Sequence, residues 1–306
     1  MPDQTKPDAA RPLDWVIFAL VPLFFSTNII FGRGIIGDVA PYTTAFLRWT
    51  GSTLVTLPFI LADRRAVWTF VTRHLLLWLL LGGLGMGVCG GVVYWSLNYT
   101  TAANGTLIYT TSSLFIILFQ WMFAGRTIGL RELVGMAIAF AGVMVIVLRG
   151  DLAALLRLQF NIGDLGILVA AISFAVYSIL LRQPALQKLK PLSLFGAIAL
   201  SGALVLLPAT TYEVLTGAPL ADAPMDWAKI AGMVAFASLA AFYCFQQTVR
   251  VFGPAQAGVT LYLMPPVSIV MAIVFLGESF AAYHALGIVF VLGGVILATV
   301  PAKSAS

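Results

Sequence analysis

Twelve aspartates and glutamates are spread along 306 residues, and none falls near the middle of a long apolar run. Asp3, Asp8, Asp14, Asp38, Asp63, Glu132, Asp151, Asp164, Glu213, Asp222, Asp226 and Glu278 sit in tails, in loops or close to the end of a run. Acid–base catalysis needs a positioned carboxylate or imidazole, and ion-driven pumps commonly keep a carboxylate at depth. The two histidines, His74 and His284, also lie at run ends. Cys89 and Cys244 lie inside apolar runs and read as small core residues, not as a disulfide or metal pair. No Gly-rich loop with a lysine is present to cradle phosphate. These absences predict no catalytic site, no metal and no cofactor. Arg48 is the single charge well inside a run. It could meet a substrate carboxylate, or it could bind backbone carbonyls or a glutamate and hold helices together.

The surroundings of these groups are set by composition. The chain is 60% hydrophobic and only 9% charged, where a soluble domain is about 25% charged. That predicts an all-α integral membrane protein, because lipid tolerates only helices or closed barrels. The net charge of +5 comes from bases placed singly or in pairs, so no nucleic-acid track is expected. Ten runs approach the roughly 20 residues that a membrane crossing needs. They are 15–36, 42–61, 75–97, 102–123, 130–148, 163–181, 192–212, 227–249, 255–276 and 281–300. Residues 1–13 read as a disordered polar tail, and the connection 149–162 as an interfacial segment.

Lys and Arg favour the cytoplasmic side. With the N-terminus inside, twelve of them fall on inner segments and four, Arg33, Arg149, Arg157 and Lys229, on outer ones. Both termini are therefore expected to be cytoplasmic, in the inner cell membrane. A weak internal repeat aligns Ala102 with Ala255, Gly105 with Gly258, and Tyr109 with Tyr262. Five spans is an odd number, so a repeated five-span unit must insert the second time upside down. The expected architecture is two inverted five-helix repeats, 14–148 and 163–300, with a site near the midplane where they meet.

Tyr262-Leu263-Met264-Pro265, Phe275-Leu276-Gly277-Glu278, Leu286-Gly287 and Gly293-Gly294-Val295 form one pattern across the last two spans. Pro41 followed by Arg48, Tyr99-Thr100-Thr101-Ala102, Phe25-Ser26-Thr27 and Arg33-Gly34 form another in the first half. With these residues the chain resembles the EamA-type branch of the drug/metabolite transporter superfamily over nearly its full length. Within it, the chain is most similar to bacterial exporters of amino acids, aromatic ones included. The resemblance implies an arginine at position 48 for unrelated substrates, which favours the structural role for Arg48. The chain departs from the family at Ala124-Gly125, where Gly-Glu is common, and has Ser112-Ser113 where the second copy has Pro265-Pro266. Span 4 is accordingly expected to be straighter than span 9.

A solute cavity would be lined by polar and aromatic groups at middle depth. The candidates are Ser26, Thr27, Asn28, Trp95, Asn98, Tyr109, Ser112, Ser173, Tyr177, Tyr243, Gln246, Gln247 and Tyr262, with Tyr109 and Tyr262 placed as symmetry mates near the centre. Ordinary packing is the alternative for each. Gly83, Gly87 and Gly91 recur once per helical turn and predict a smooth contact groove that could also slide. Pro265-Pro266 is an expected bending point, and Glu278 ties helix ends or exchanges protons. Spans 5 and 10 read as scaffold or as the contact of a homodimer. The expected function is export of amino acids or similar small metabolites by alternating access, driven by the solute's own gradient. The alternatives are another cargo of the same superfamily, with or without proton coupling, and a non-transporting membrane scaffold or enzyme.

Overall fold

Among the described residues every regular element is helical. The structure is a computed structural model; it describes residues 11–35, 37–100, 105, 108–125, 127–148, 150, 151, 161–267, 270, 271 and 281–299. Residues 1–10 of the tail, the connection 152–160 and Glu278 lie outside them. The described helices longer than four residues are α1 (Pro12–Ile35), α2 (Pro41–Ala62), α3 (Arg64–Arg73), α4 (Leu75–Ser96), α5 (Ser112–Ala124), α6 (Leu130–Val147), α7 (Ile162–Leu180), α8 (Pro191–Leu215), α9 (Pro224–Phe252), α10 (Pro254–Val259) and α11 (Ala282–Thr299). A 3₁₀ turn, Thr260–Leu263, continues α10. All but α3 fall on the ten expected runs, in order. The short α3 turns Val67 and Phe70 inward and Trp68 outward, at the basic end of the bundle.

Among the described residues, five helices are long and apolar enough to cross a membrane: α2, α4, α7, α8 and α9. Shorter apolar helices cover Pro12–Asn28, Ile108–Phe123 and Ala282–Ala298. The outer surface is correspondingly apolar, with Leu54, Val55, Phe59, Leu133, Phe236, Leu286, Val289 and Ile296 exposed.

Local geometry repeats at a fixed distance along the chain. Asp14 and Asp164, Pro41 and Pro191, Asp63 and Glu213, and Gly83 and Met233 are each 150 residues apart. Asp14 accepts from the backbone N–H of Arg11, and Asp164 from that of Asn161, so both cap their own helix. Pro41 and Pro191 open α2 and α8, where a missing N–H costs nothing. Glu213, at the end of α8, accepts from the N–H groups of Tyr42 (3.0 Å) and Thr43 (2.7 Å) at the start of α2. Asp63, at the end of α2, accepts from Lys190 N at 3.4 Å, just before α8. Each carboxylate thus sits at the positive end of the other helix. Gly83 and Met233 begin two π-helical stretches, Gly83–Val92 in α4 and Met233–Ala240 in α9.

The packing is paired in the same way. α2 lies along α8, and α6 lies along α11. α1 crosses α9 as α7 crosses α4. The α6–α11 seam is made of glycine. A Cβ on Gly142 would lie 2.7 Å from both Gly287 O and Val291 N, and one on Gly135 would lie 2.7 Å from Gly294 O. Backbones meet directly there, as small residues permit between membrane helices. Gly142→Leu should destabilise the protein by about 1–3 kcal/mol or more, read as an earlier thermal unfolding midpoint in detergent. Gly293→Ala, where nothing lies within 4 Å, should change little; equal behaviour of the two variants would disprove this seam.

Candidate functional site

The Glu213 cap and Pro41 fix the start of α2, and two turns further in the helix presents Arg48 to the middle of the bundle. Arg48 is 2% exposed. Its Nη1 donates to Asn28 Oδ1 (3.0 Å) and Tyr94 Oη (2.8 Å), its Nη2 to Ala237 O (2.7 Å), and its Nε to Ser238 Oγ. Tyr94 also donates to Asn28 Oδ1 at 2.7 Å. The guanidinium carbon lies 4.5 Å from the Trp49 ring centre and 6.0 Å from that of Phe242. Ion pairs among the described residues are confined to Lys229 with Asp38 and Asp226, so no described carboxylate neutralises Arg48.

Adjacent residues of α2 reach both π stretches. Trp49 Nε1 donates to Met86 O at 3.0 Å in α4, while Arg48 takes Ala237 O in α9. Gly90 makes the first contact fit, since a Cβ there would lie 2.9 Å from Trp49 Nε1. A side chain that inserts into a helical ladder commonly accompanies such local rewinding, and π turns gather at functional sites.

Below Arg48 the centre is aromatic. Trp49 and Phe242 are 5.0 Å apart, Phe25 and Phe242 5.3 Å, Phe174 and Phe245 4.8 Å, and Tyr109 and Phe174 5.8 Å. A second polar group lies beyond the rings. Gln246 Nε2 donates to Tyr177 Oη at 2.9 Å, while Gln246 Oε1 has no partner among the described residues. Cys89 and Tyr109 are neighbours there. On α9 Ser238 bonds Arg48, Phe242 lies beside the guanidinium and Gln246 bonds Tyr177, so one helix carries both polar groups and the ring between them.

Of the candidates read from sequence, Asn28, Tyr109, Tyr177 and Gln246 come together at this centre. The others do not. Ser26 donates to Pro22 O (2.6 Å) and Met264 O (3.3 Å), which fastens α1 to the end of the 3₁₀ turn. Thr27 bonds within its own helix. Asn98 is exposed and lines an outer cleft of about 180 Å³, and Trp95 stacks on Tyr99 at 4.9 Å near the same end. Tyr94, not either of these, turns inward. Tyr262 is not the central counterpart of Tyr109: it is fully buried in a separate cluster with Ala139, Val143 and Val291 of α6 and α11. Ser112 is buried with no partner for its hydroxyl among the described residues, and Ser113 instead donates to Gly258 O at 2.6 Å. Ser173 is buried, and Tyr243 and Gln247 are partly buried at the rim.

One expectation about helix contacts is corrected. A Cβ would fit at Gly83 and Gly87, whose nearest atoms are 3.9 Å and 3.5 Å away. The close contacts fall on Gly82 against Ser201, Gly85 against Tyr177 (2.5 Å), Gly90 against Trp49, and Gly91 against Tyr42 (2.6 Å). π winding uses more residues per turn, so four-residue spacing no longer marks one face. Span 4 is interrupted as well, and its straightness relative to span 9 falls on residues 268–269 and 272–280, which lie outside the described residues. The chain turns at Thr111, whose N–H and hydroxyl both bond to Ile108 O, at 3.1 Å and 2.5 Å. A hydroxyl competing for a backbone carbonyl interrupts a helix as a proline does. On the other side, Pro265 and Pro266 are buried and follow the 3₁₀ turn directly.

The model of the EamA-like transporter family matches this chain twice, over residues 14–148 and 161–300. The chain belongs to that family. It is a multi-pass membrane transporter, and members of the family are carriers and not enzymes. It is 22% identical over 280 residues to the uncharacterized transporter YyaM of Bacillus subtilis (strain 168), which spans 90% of each chain. It is 26% identical over 294 residues to an uncharacterized transporter of Archaeoglobus fulgidus, covering 93% of this chain and 96% of that one. A probable terminal-alkyne amino-acid exporter of Streptantibioticus cattleyicolor is 26% identical over 218 residues, 71% of each. A crystal structure superposes with a TM-score of 0.77 at 19% identity, over 95% of this chain and 97% of that one, and shows the fold alone.

Tyr94→Phe and Asn28→Ala each leave a buried guanidinium N–H unanswered and should each lower unfolding free energy by about 1–3 kcal/mol. Because both act on one shared network, the double variant should lose about 1 kcal/mol less than the sum. Denaturation of the purified variants in detergent measures this; full additivity would mean that the three side chains do not act together.

Proposed function

We propose that this transporter exports amino acids, or small metabolites of similar amphipathic character, by alternating access and down the solute's own gradient. The observation that supports this most directly is the centre itself: aromatic walls and a few polar groups, contributed by α1, α2, α4, α7 and α9 from both family-matched segments. Such walls suit apolar side chains, and the polar groups suit a charged headgroup. The paired packing and the 150-residue offset support ten spans arranged as two inverted five-helix repeats, 14–148 and 163–300. The basic end, with Arg64, Arg65, Arg73, Arg182, Lys188, Lys190 and Arg250, then faces the cytoplasm with both termini, in the inner membrane. The amino-acid exporter among the relatives supports the cargo class.

Buried carboxylates support gradient-driven export over ion coupling. Asp164, Glu213 and Asp226 are all buried, and all are engaged at helix ends: Asp164 by Asn161 and Thr100, Glu213 by Tyr42 and Thr43, Asp226 by Ala223. Among the described residues none is left at middle depth to exchange protons. The outward faces of α6 and α11 sit in lipid; a homodimer, if one forms, would use them.

Cells overexpressing the protein should tolerate toxic amino-acid analogues at several-fold higher concentration and release more amino acid to the medium. Liposomes holding the purified protein should show counterflow of the same solutes, little changed by an imposed pH gradient. Absence of both effects would rule out amino-acid export. Counterflow that follows the pH gradient, and loses that dependence in Glu278→Gln, would replace gradient-driven export with proton exchange.

A further inference from the structure

The bonds around Arg48 answer four of its five N–H groups, and none among the described residues answers its charge. All four acceptors, Asn28 Oδ1, Tyr94 Oη, Ala237 O and Ser238 Oγ, are neutral. A cation at membrane depth is costly unless it is paired or wetted, and a full charge held by neutral dipoles retains its attraction for an anion. We propose that Arg48, with Tyr94 and Asn28, docks the carboxylate of the transported solute. This rests on the transporter reading above and narrows it to solutes that carry a carboxylate.

The geometry supplies a place, a route and a wall. The place is Asn28 Oδ1, a single neutral oxygen that accepts from both Arg48 Nη1 at 3.0 Å and Tyr94 Oη at 2.7 Å. A carboxylate oxygen in its stead would accept from the same two donors through charge-assisted bonds, which are shorter and about twice as strong. The displaced amide of Asn28 keeps its own N–H groups to offer. The route is the outer cleft of about 180 Å³, lined by Tyr94 and by Thr44, one turn before Arg48 on α2. Tyr94 therefore belongs both to the cleft and to the guanidinium network. Glu213 also lines the cleft, but its two oxygens are held by the first turn of α2. The wall is the Trp49 and Phe242 rings beside the guanidinium, against which the solute's apolar body can lie.

Two further features fit. Ala237 and Ser238 lie on the π stretch of α9. A guanidinium drawn toward a carboxylate loosens its hold on that stretch, so binding is transmitted to the helix that also carries Phe242 and Gln246. A purely structural arginine needs no such connection to a cleft, and gains nothing from having only neutral acceptors among the described residues.

The test uses the purified full-length protein and two sets of probes with constant bodies. One is phenylalanine, 3-phenylpropionate and phenethylamine; the other is leucine, 4-methylpentanoate and 3-methylbutylamine. Thermal unfolding in detergent and competition for counterflow read binding. The amino acid and the carboxylate of at least one set should bind, with the amine at least about tenfold weaker. Arg48→Gln should abolish that preference, and Tyr94→Phe should weaken the carboxylates more than the amine. If Arg48→Gln does not fold, the wild-type series and Tyr94→Phe decide alone. Amines that bind as well as the carboxylates, or no response to either set from cooperatively unfolding protein, would overturn the inference. Amino-acid export from cells with no carboxylate preference would remove this site and leave the function standing; a preference without export would do the reverse.

Discussion

A guanidinium carries N–H donors and no acceptor, so what surrounds it at this depth has to offer oxygens. In this chain the answer comes from four helices at once. α1 supplies Asn28, α4 supplies Tyr94, α9 supplies Ala237 and Ser238, and α2 holds Arg48 itself. Directional bonds to a planar group tolerate little misplacement. The relative depth and rotation of those four helices are therefore tied to one another at the centre, where apolar packing alone would leave them loosely specified. The caps at the bundle's ends do the same work further out: Glu213 on α2, Asp164 on its own helix with Thr100, Lys229 on the end of α1.

Around this centre several helix ends recur along the chain, and the chemistry does not. Prolines open α2 and α8, carboxylates close them, and π stretches begin 150 residues apart. Yet 150 residues beyond Arg48 and Trp49 stand Ile198 and Ala199, both buried and both unable to donate a side-chain hydrogen bond. In place of an arginine, α8 offers Ser201 to Trp78 O and accepts from Trp78 at Ala197 O. Some helix ends recur 150 residues apart, whereas Arg48 gives the centre one charged pole, nearer the end where Pro41 enters.

The all-helical, apolar character of the chain was legible because membrane helices must satisfy their backbones internally, so length and hydropathy carry that signal. Arg48 was legible as the one deep charge, and Asn28, Tyr109, Tyr177 and Gln246 as polar groups at the right depth. Tyr94 was missed in favour of Trp95 and Asn98, and Gly85 in favour of Gly87, for the same reason. Both errors follow from projecting α4 as a regular α-helix, whereas ten of its residues wind as π. Nothing in GLGMGVCGGV marks the change of pitch; it accompanies the insertion of Trp49 from another helix, a tertiary cause that local pattern cannot hold. Tyr262 failed differently. The repeat equates it with Tyr109, but the second copy packs it against the glycine seam of α6 and α11, where sequence similarity has no bearing on which cluster a side chain joins.

The same seam limits how the molecule can move. The two tightest pairs, α2 with α8 and α6 with α11, each take one helix from either family-matched segment. In α6 and α11 the backbones already touch at Gly135, Gly142, Gly287 and Gly294, so sliding would drive side chains such as Ile146 and Phe290 into the neighbouring backbone. A swing of one segment against the other as rigid bodies would have to pull both pairs apart. The regions with irregular backbone lie elsewhere: the π stretches of α4 and α9, the turn at Thr111, and the 3₁₀ turn before Pro265. Two of them, the π stretches of α4 and α9, contact the residues of the centre directly, and Tyr109 precedes the turn at Thr111. Opening the centre to either side is therefore cheapest by bending α4, α5, α9 and α10 at these points while the two pairs stay closed, because only there can helical hydrogen bonds be exchanged without emptying a packed interface.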